Sequence, residues 1–177
     1  MALTKLNFGG KQQALVATNI PTLTGTQLPV GSIIQVIKND QHDSSTETAI
    51  SSTTYADVTG WTASITPTFA NSLIKVEAHA AGLSRGSGTN LKLKLLRGSD
   101  TVIEMTRFQL TESGGTWGDS NTTFIGYDST HNSTSALTYK IQLAFKSSVS
   151  NMEVRTGSFA SSGEKGYVSF TLTEIKQ

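Results

Sequence analysis

Cysteine is absent from this 177-residue chain, which excludes disulfides, thiolate metal sites and cysteine nucleophiles. Proline is scarce at three residues. Charged residues reach only 15%, below the usual quarter or so. The formal net charge is +1, so no bulk electrostatic attraction to nucleic acid or to an anionic membrane is expected. No segment approaches the apolar length of a membrane span. The start, Met1-Ala-Leu-Thr-Lys-Leu-Asn-Phe-Gly-Gly10, lacks the apolar stretch of a signal peptide, so a soluble protein without membrane insertion is expected. There is no heptad run, which argues against a coiled-coil stalk, and no internal repeat, which argues against a β-helix or propeller.

Serine and threonine fill the space that charge leaves. Together they make up roughly a quarter of the residues, far above average usage. Threonine favours strands and serine favours turns, so the excess suits an all-β protein. The clearest pattern lies in Leu73–Ala81, where Ile74, Val76, Ala78 and Ala80 alternate with Lys75, Glu77 and His79. A period of two places the apolar groups on one face of a strand and the charges on the other. Leu91, Leu93 and Leu95 repeat the pattern, as do Tyr139, Ile141, Leu143 and Phe145, and Val168, Phe170 and Leu172. Gly98-Ser99-Asp100 reads as the tight turn of a hairpin. Ser32–Lys38 is nearly continuously apolar and reads as a strand buried on both faces. Asn39–Ser45 reads as a polar loop, and Thr111–Asp119 as a long exposed one. Eight to ten short strands at regular spacing predict an antiparallel β-sandwich, and long connections suit a jelly roll.

Residues 1–30 differ from the rest. Isolated apolar residues (Leu3, Leu6, Phe8, Leu15, Val16) sit among small polar ones, punctuated by Gly9-Gly10, Pro21, Gly25 and Pro29. Gln12–Thr18 has the composition for one or two helical turns. The segment reads either as a frayed terminus or as an extended arm that orders against a partner, and the spaced anchors favour the arm. The expected division is therefore an attachment arm over 1–30 and a β-sandwich over 31–177.

Four sets of residues resemble a known group. Gly31-Ser-Ile-Ile-Gln-Val-Ile37, Tyr55-Ala-Asp-Val58, Ile65-Thr-Pro-Thr68 with Asn71-Ser-Leu-Ile-Lys-Val76, and the closing Leu172-Thr-Glu-Ile175 look like the pattern of small marine bacteriophage virion structural or tail-fibre proteins. Leu73 stands where that pattern more often has lysine. The resemblance covers residues 31 to about 80 and the last strand. It implies a compact jelly-roll-like domain, trimeric, displayed on the surface of a phage particle assembled in the host cytoplasm, with no enzymatic activity and no cofactor. It also implies other virion proteins of capsid or tail as partners.

Candidate chemistry is sparse. His42, His79 and His131 lie far apart, and their plain reading is solvated or hydrogen-bonded histidine. Of the three, His79 is the best metal candidate, because an outward position near a trimer axis would create a ring of three. Asn39-Asp-Gln-His-Asp43 with Glu47 could hold a cation but lacks the spacing of a calcium loop. Asp119, Asp128, Glu104 and Glu112 are the carboxylates available for glycoside hydrolysis, with nothing to place two across one groove. Trp117, with Asp119 and Arg85, forms the candidate loop for a receptor or partner, stacking on a sugar or anchoring a protein. The alternative is Trp117 folded back as a cap on the core. Ile33, Ile37, Leu96 and Ile175 are candidate trimer-interface residues, because their strands look apolar on both sides. Tyr55 and Trp61 read as core or interface groups. Two functional classes follow: a structural surface protein docked through its arm, or a fibre tip recognising host surface glycan or protein. A lectin-like sandwich is a third.

Overall fold

The computed structural model describes residues 5–8, 11–14, 27–42, 48–50, 52–85, 90–109, 118–146, 154–156 and 167–177. They form strands β1 (Lys5–Phe8), β2 (Lys11–Ala14), β3 (Ile33–His42), β4 (Thr48–Ile50), β5 (Ala56–Ile65) and β6 (Leu73–Arg85). These are followed by β7 (Asn90–Arg97), β8 (Asp100–Gln109), β9 (Gly118–Asp128), β10 (Leu137–Phe145), β11 (Val154–Thr156) and β12 (Tyr167–Ile175). No α-helix occurs among the described residues.

The eight long strands build two antiparallel sheets, ordered β3-β12-β6-β9 and β5-β10-β7-β8. The short β11 and β4 extend the first sheet beyond the end of β12, where Val154 pairs with Arg85 and then with Ile50. Among the eight, the first pairs with the last, the second with the seventh, the third with the sixth and the fourth with the fifth. A long hairpin rolled up on itself gives that order, and it is the jelly roll. Each sheet turns its alternating apolar face inward. Ile74, Val76, Leu93, Leu95, Ile141, Leu143, Phe145, Val168 and Phe170, the residues whose alternation predicts a core, are all buried. The tight turn expected over Gly98-Ser99-Asp100 is the two residues Gly98-Ser99, with Gly98 at φ +59°, because Asp100 already pairs with Arg97.

Strand β5 breaks the simple alternation. Four residues, Val58–Trp61, lie between its paired positions Asp57 and Thr62, opposite a single residue of β10. Gly60 takes φ +84° there, which a residue with a Cβ adopts only with strain. The bulge turns Trp61 inward directly after Gly60, and its Nε1 donates to the His79 carbonyl across the sandwich at 3.2 Å.

Several expectations need correction. Strand β3 is not buried on both faces. It is the edge of its sheet, with Ile33 and Val36 64% and 54% exposed. A continuous apolar run has the same composition whether a second layer covers both its faces or only one. The polar loop expected after Lys38 is strand as far as His42, because β12 supplies a pairing partner out to Tyr167. Strand β9 starts at Gly118, inside the segment expected to be loop. Lys11–Ala14 is strand rather than helix, paired with Lys5–Phe8. Phe8 pairs with Lys11 across this hairpin, so the arm is not extended throughout. Leu3, Leu15 and Val16 lie outside the described residues, as do the side chains of Leu6 and Phe8.

Candidate functional site

Three of the four motifs carrying the phage-protein resemblance meet at one end of the sandwich; Tyr55–Val58 lies toward the other end of β5, where Ala56 pairs with Leu143. Glu174, from Leu172-Thr-Glu-Ile175, is fully buried at the inner end of β12. Its Oε1 accepts from the amides of Thr68 (2.8 Å) and Phe69 (3.0 Å), in the turn after Ile65-Thr-Pro-Thr68. Its Oε2 accepts from Gln35 Nε2 (2.7 Å), which belongs to Gly31-Ser-Ile-Ile-Gln-Val36 and also donates to the Thr66 carbonyl (2.7 Å). The hydroxyl of Ser72 closes the turn on the Phe69 carbonyl at 2.9 Å. Burial pushes the Glu174 carboxyl up, but these donors outweigh it and the net shift is downward. Segments far apart in sequence are thus tied by one carboxylate, and the sequence signal was the co-occurrence of the motifs.

A second buried carboxylate lies at the end of β9. Asp128 Oδ2 pairs with Arg97 at 2.9 Å and accepts from the Tyr139 hydroxyl at 2.7 Å. Its Oδ1 accepts from both the amide and the hydroxyl of Thr130, each at 2.8 Å. Burial opposes its ionisation, yet the Thr130 and Tyr139 donors and Arg97 hold its carboxyl below the usual range. Burial and the adjacent carboxylate raise the Tyr139 phenol. Nearby, His131 Nε2 donates to the Ser72 carbonyl at 2.8 Å.

These bonds bear on the candidates for chemistry. Asp128 has both oxygens committed inside the fold. Glu104 lies exposed on β8, accepting from Tyr55 at 2.9 Å, 3.7 Å from Lys94. Glu112 falls outside the described residues, and so does the side chain of Asp119. Of the histidines, His131 is buried in the loop after β9, whereas His79 lies on the outer face of β6, 3.0 Å from the Thr123 hydroxyl. The side chain of His42 is not described. No group of three metal-ligating side chains exists among the described residues. In the segment considered for a cation, Asn39 donates to the Thr62 carbonyl (2.8 Å) and Asp40 accepts from Tyr167 (3.0 Å). Both are strand positions; Asp43 and Glu47 lie outside the described residues.

Trp117 lies outside the described residues. The ladder does bring its two companions together, since Gly118 pairs with Arg85 and Asp119 with Ser84. Of the candidate interface residues, Leu96 is buried by its own chain and unavailable to a neighbour. Ile37 packs half-buried against the core. Ile33 is exposed and stands opposite Ile175 on the outer face of the larger sheet. Trp61 is core. Tyr55 is not. It lies half-buried on the smaller sheet, with the ammonium groups of Lys92 and Lys94 4.8 and 4.4 Å from its ring centre. Burial, then Glu104, push its phenol up to about 12.

The outer faces of the two sheets differ. The smaller sheet shows a charged lattice in which Asp57 accepts from Lys140 (3.0 Å) and Gln142 (2.7 Å), beside the Tyr55 cluster. The larger sheet exposes Ile33, Val36, Ile125 and Tyr127. Sequence reasoning missed Ile125 and Tyr127, although Phe124, Gly126 and Asp128 alternate with them.

No protein-family model and no curated protein sequence matches the chain. Among solved structures it is similar to the crystal structure of the infectious bursal disease virus VP2 subviral particle, at 14% identity and a TM-score of 0.48, over 88% of this chain. The T=1 particles derived from the same virus give 16% identity and a TM-score of 0.44, again over 88%. The chain spans 38% and 36% of the length of those proteins. Both come from particles of that virus rather than from a phage. The jelly roll follows from the strand order alone, and these partial likenesses add nothing to it.

Proposed function

We propose that this protein is a non-enzymatic structural component of a virus particle, a homotrimeric phage surface protein that decorates or braces the particle. Its N-terminal segment, residues 1–30, docks it to capsid or tail proteins. The observation that carries this reading is the meeting of three of the four resemblance motifs on Glu174. It explains why those residue types recur together, as parts of one fold, and so supports placing the chain among such virion proteins. Two features accompany it: the buried carboxylates are spent on internal bonds, and one outer sheet face exposes Ile33, Val36, Ile125 and Tyr127.

Three measurements test the proposal. Mass measurement at micromolar concentration is expected to give a trimer, and a stable monomer counts against it. Reconstruction of the native particle is expected to place the protein on its surface. Deletion of residues 1–30 is expected to leave a folded trimer that no longer joins particles. If the truncated protein still assembles, the segment is not the attachment device. If it unfolds, the boundary at Gly31 is wrong; Gly31 and Ser32 already bond to Lys176 at 2.8 and 2.9 Å.

A second reading, a receptor-binding fibre tip, draws support from the pairing that sets Arg85 and Asp119 one position apart. It predicts saturable binding of host surface glycan or protein, lost on Trp117→Ala.

A further inference from the structure

We infer that the β1–β2 hairpin attaches the protein by adding a strand to an open sheet edge of a capsid or tail protein, an inference that rests on the reading of residues 1–30 as the attachment segment. The two strands form a sheet of their own, pairing Lys5 with Ala14, Leu6 with Gln13, Asn7 with Gln12 and Phe8 with Lys11. Among the described residues neither strand joins the two sheets of the sandwich. A two-stranded hairpin is marginal in water, and a third strand or an apolar surface has to complete it.

Register favours the strand. Leu6 stands opposite Gln13 and Phe8 opposite Lys11, so neither face of the hairpin is apolar on both strands. Main-chain bonds remain, and these are what an extended segment gains when it enlarges a partner's sheet. Natural edge strands refuse such pairing with charge or proline. Here Lys5 and Lys11 stand at the two ends of the ladder, which leaves Leu6–Phe8 and Gln12–Ala14 with neither. Twelve residues lie between Ala14 and the described segment that begins at Gln27. That length reaches at most about 40 Å, enough to meet a partner beyond the sandwich.

The sandwich guards most of its own edges. Asn39 and Gln35 on β3 donate to the carbonyls of Thr62 and Thr66 (2.8 and 2.7 Å), which closes the corner between β3 and β5. Strand β8 shifts register twice against β7, and such bulges turn an edge away from further pairing. Strand β9 of a second copy is the competing acceptor, and the test below separates it from a virion partner.

That test uses the same register. Phe8 and Lys11 pair across two intervening residues, and the residues flanking so short a connection form a hydrogen-bonded pair. Hydrogen-bonded and open pairs alternate along an antiparallel ladder, so the amides of Asn7 and Gln12 face outward. Proline at those positions removes donors that the hairpin itself does not use. It is tolerated on an edge strand and excluded from a central one. The full chain carrying both Asn7→Pro and Gln12→Pro is compared with one carrying Asn7→Thr and Gln12→Thr, which changes the side chains and keeps the amides. Copies per purified particle are expected to fall at least about tenfold with proline and to stay within about twofold with threonine. Hα chemical shifts of Leu6 and Gln13 in the free protein check that the hairpin persists with proline. If it does not, the two single proline variants replace the double, and one of them is expected to be lost from particles. Proline variants that join particles as wild type does, or a threonine variant that is lost, overturn the inference. A changed oligomeric mass of the free proline variant also overturns it, by placing the added strand on a second copy. If the protein lacking residues 1–30 still joins particles, the attachment reading fails and this inference with it.

Discussion

Phe145→Ala is expected to destabilise the protein by about 3–5 kcal/mol, the usual cost of emptying a buried aromatic site. Phe145 ends β10 at 2% exposure, inside the cluster that joins both sheets. Its neighbours Leu91 and Leu143 are fixed by the ladder between β7 and β10 and cannot collapse into the space without breaking register. Its amide holds the Ser52 carbonyl at 2.8 Å and is unaffected by the change, so the loss measured is that of the ring. Chemical denaturation reads it directly. A loss under about 1 kcal/mol would mean that the ring contributes little to packing.

Asp128→Ala is expected to cost as much, about 3–5 kcal/mol, because it leaves the Arg97 guanidinium and the Tyr139 hydroxyl without their shared partner. The same chemistry sets the response to acid. Asp128 and Glu174 both have folded-state pKa values below their ordinary ones. A depressed carboxylate contributes stability that is complete above the ordinary carboxylate range of about 4, and loses it as pH falls toward the folded-state value. Denaturation midpoints are therefore expected to be level from pH 7 to 5 and to fall below pH 4. In Asp128→Ala that acid slope should be shallower. An equal slope in wild type and variant would show that Asp128 is not among the groups responsible.

The core was readable in the sequence because alternation and burial have the same cause. Residues such as Val76, Leu93, Ile141 and Phe170 point inward because a strand offers only two directions. The strand order was not readable. Nothing local says that β12 lies between β3 and β6, and without that order Ile33 and Val36 look like residues of a central strand. Glu174 and Asp128 were readable as acidic residues and no more, since what each does depends on amides and side chains brought from other strands. Trp61 was ambiguous for a related reason: the bulge at Gly60 shifts the alternation, so that Trp61 points inward with Ile65 but out of phase with Val58. The Arg85–Asp119 neighbourhood, likewise, needs the β6–β9 ladder to exist before its residues have anything to do with each other.

The position of β12 also bears on how the chain folds. This strand fills the middle of the larger sheet, and the bond from Gln35 to Glu174 spans 139 residues. Contacts of that separation form late and slowly, because the ends of a long loop must meet before any pairing rewards them. Until then β3 and β6 each present an open edge, and Ile74, Val76 and Ala78 lack the cover that Phe170 and Leu172 provide. Open edges beside bare apolar surface invite pairing with another chain. During synthesis all the other strands can be complete while the larger sheet is still divided. Its two halves join only when residues 167–175 arrive.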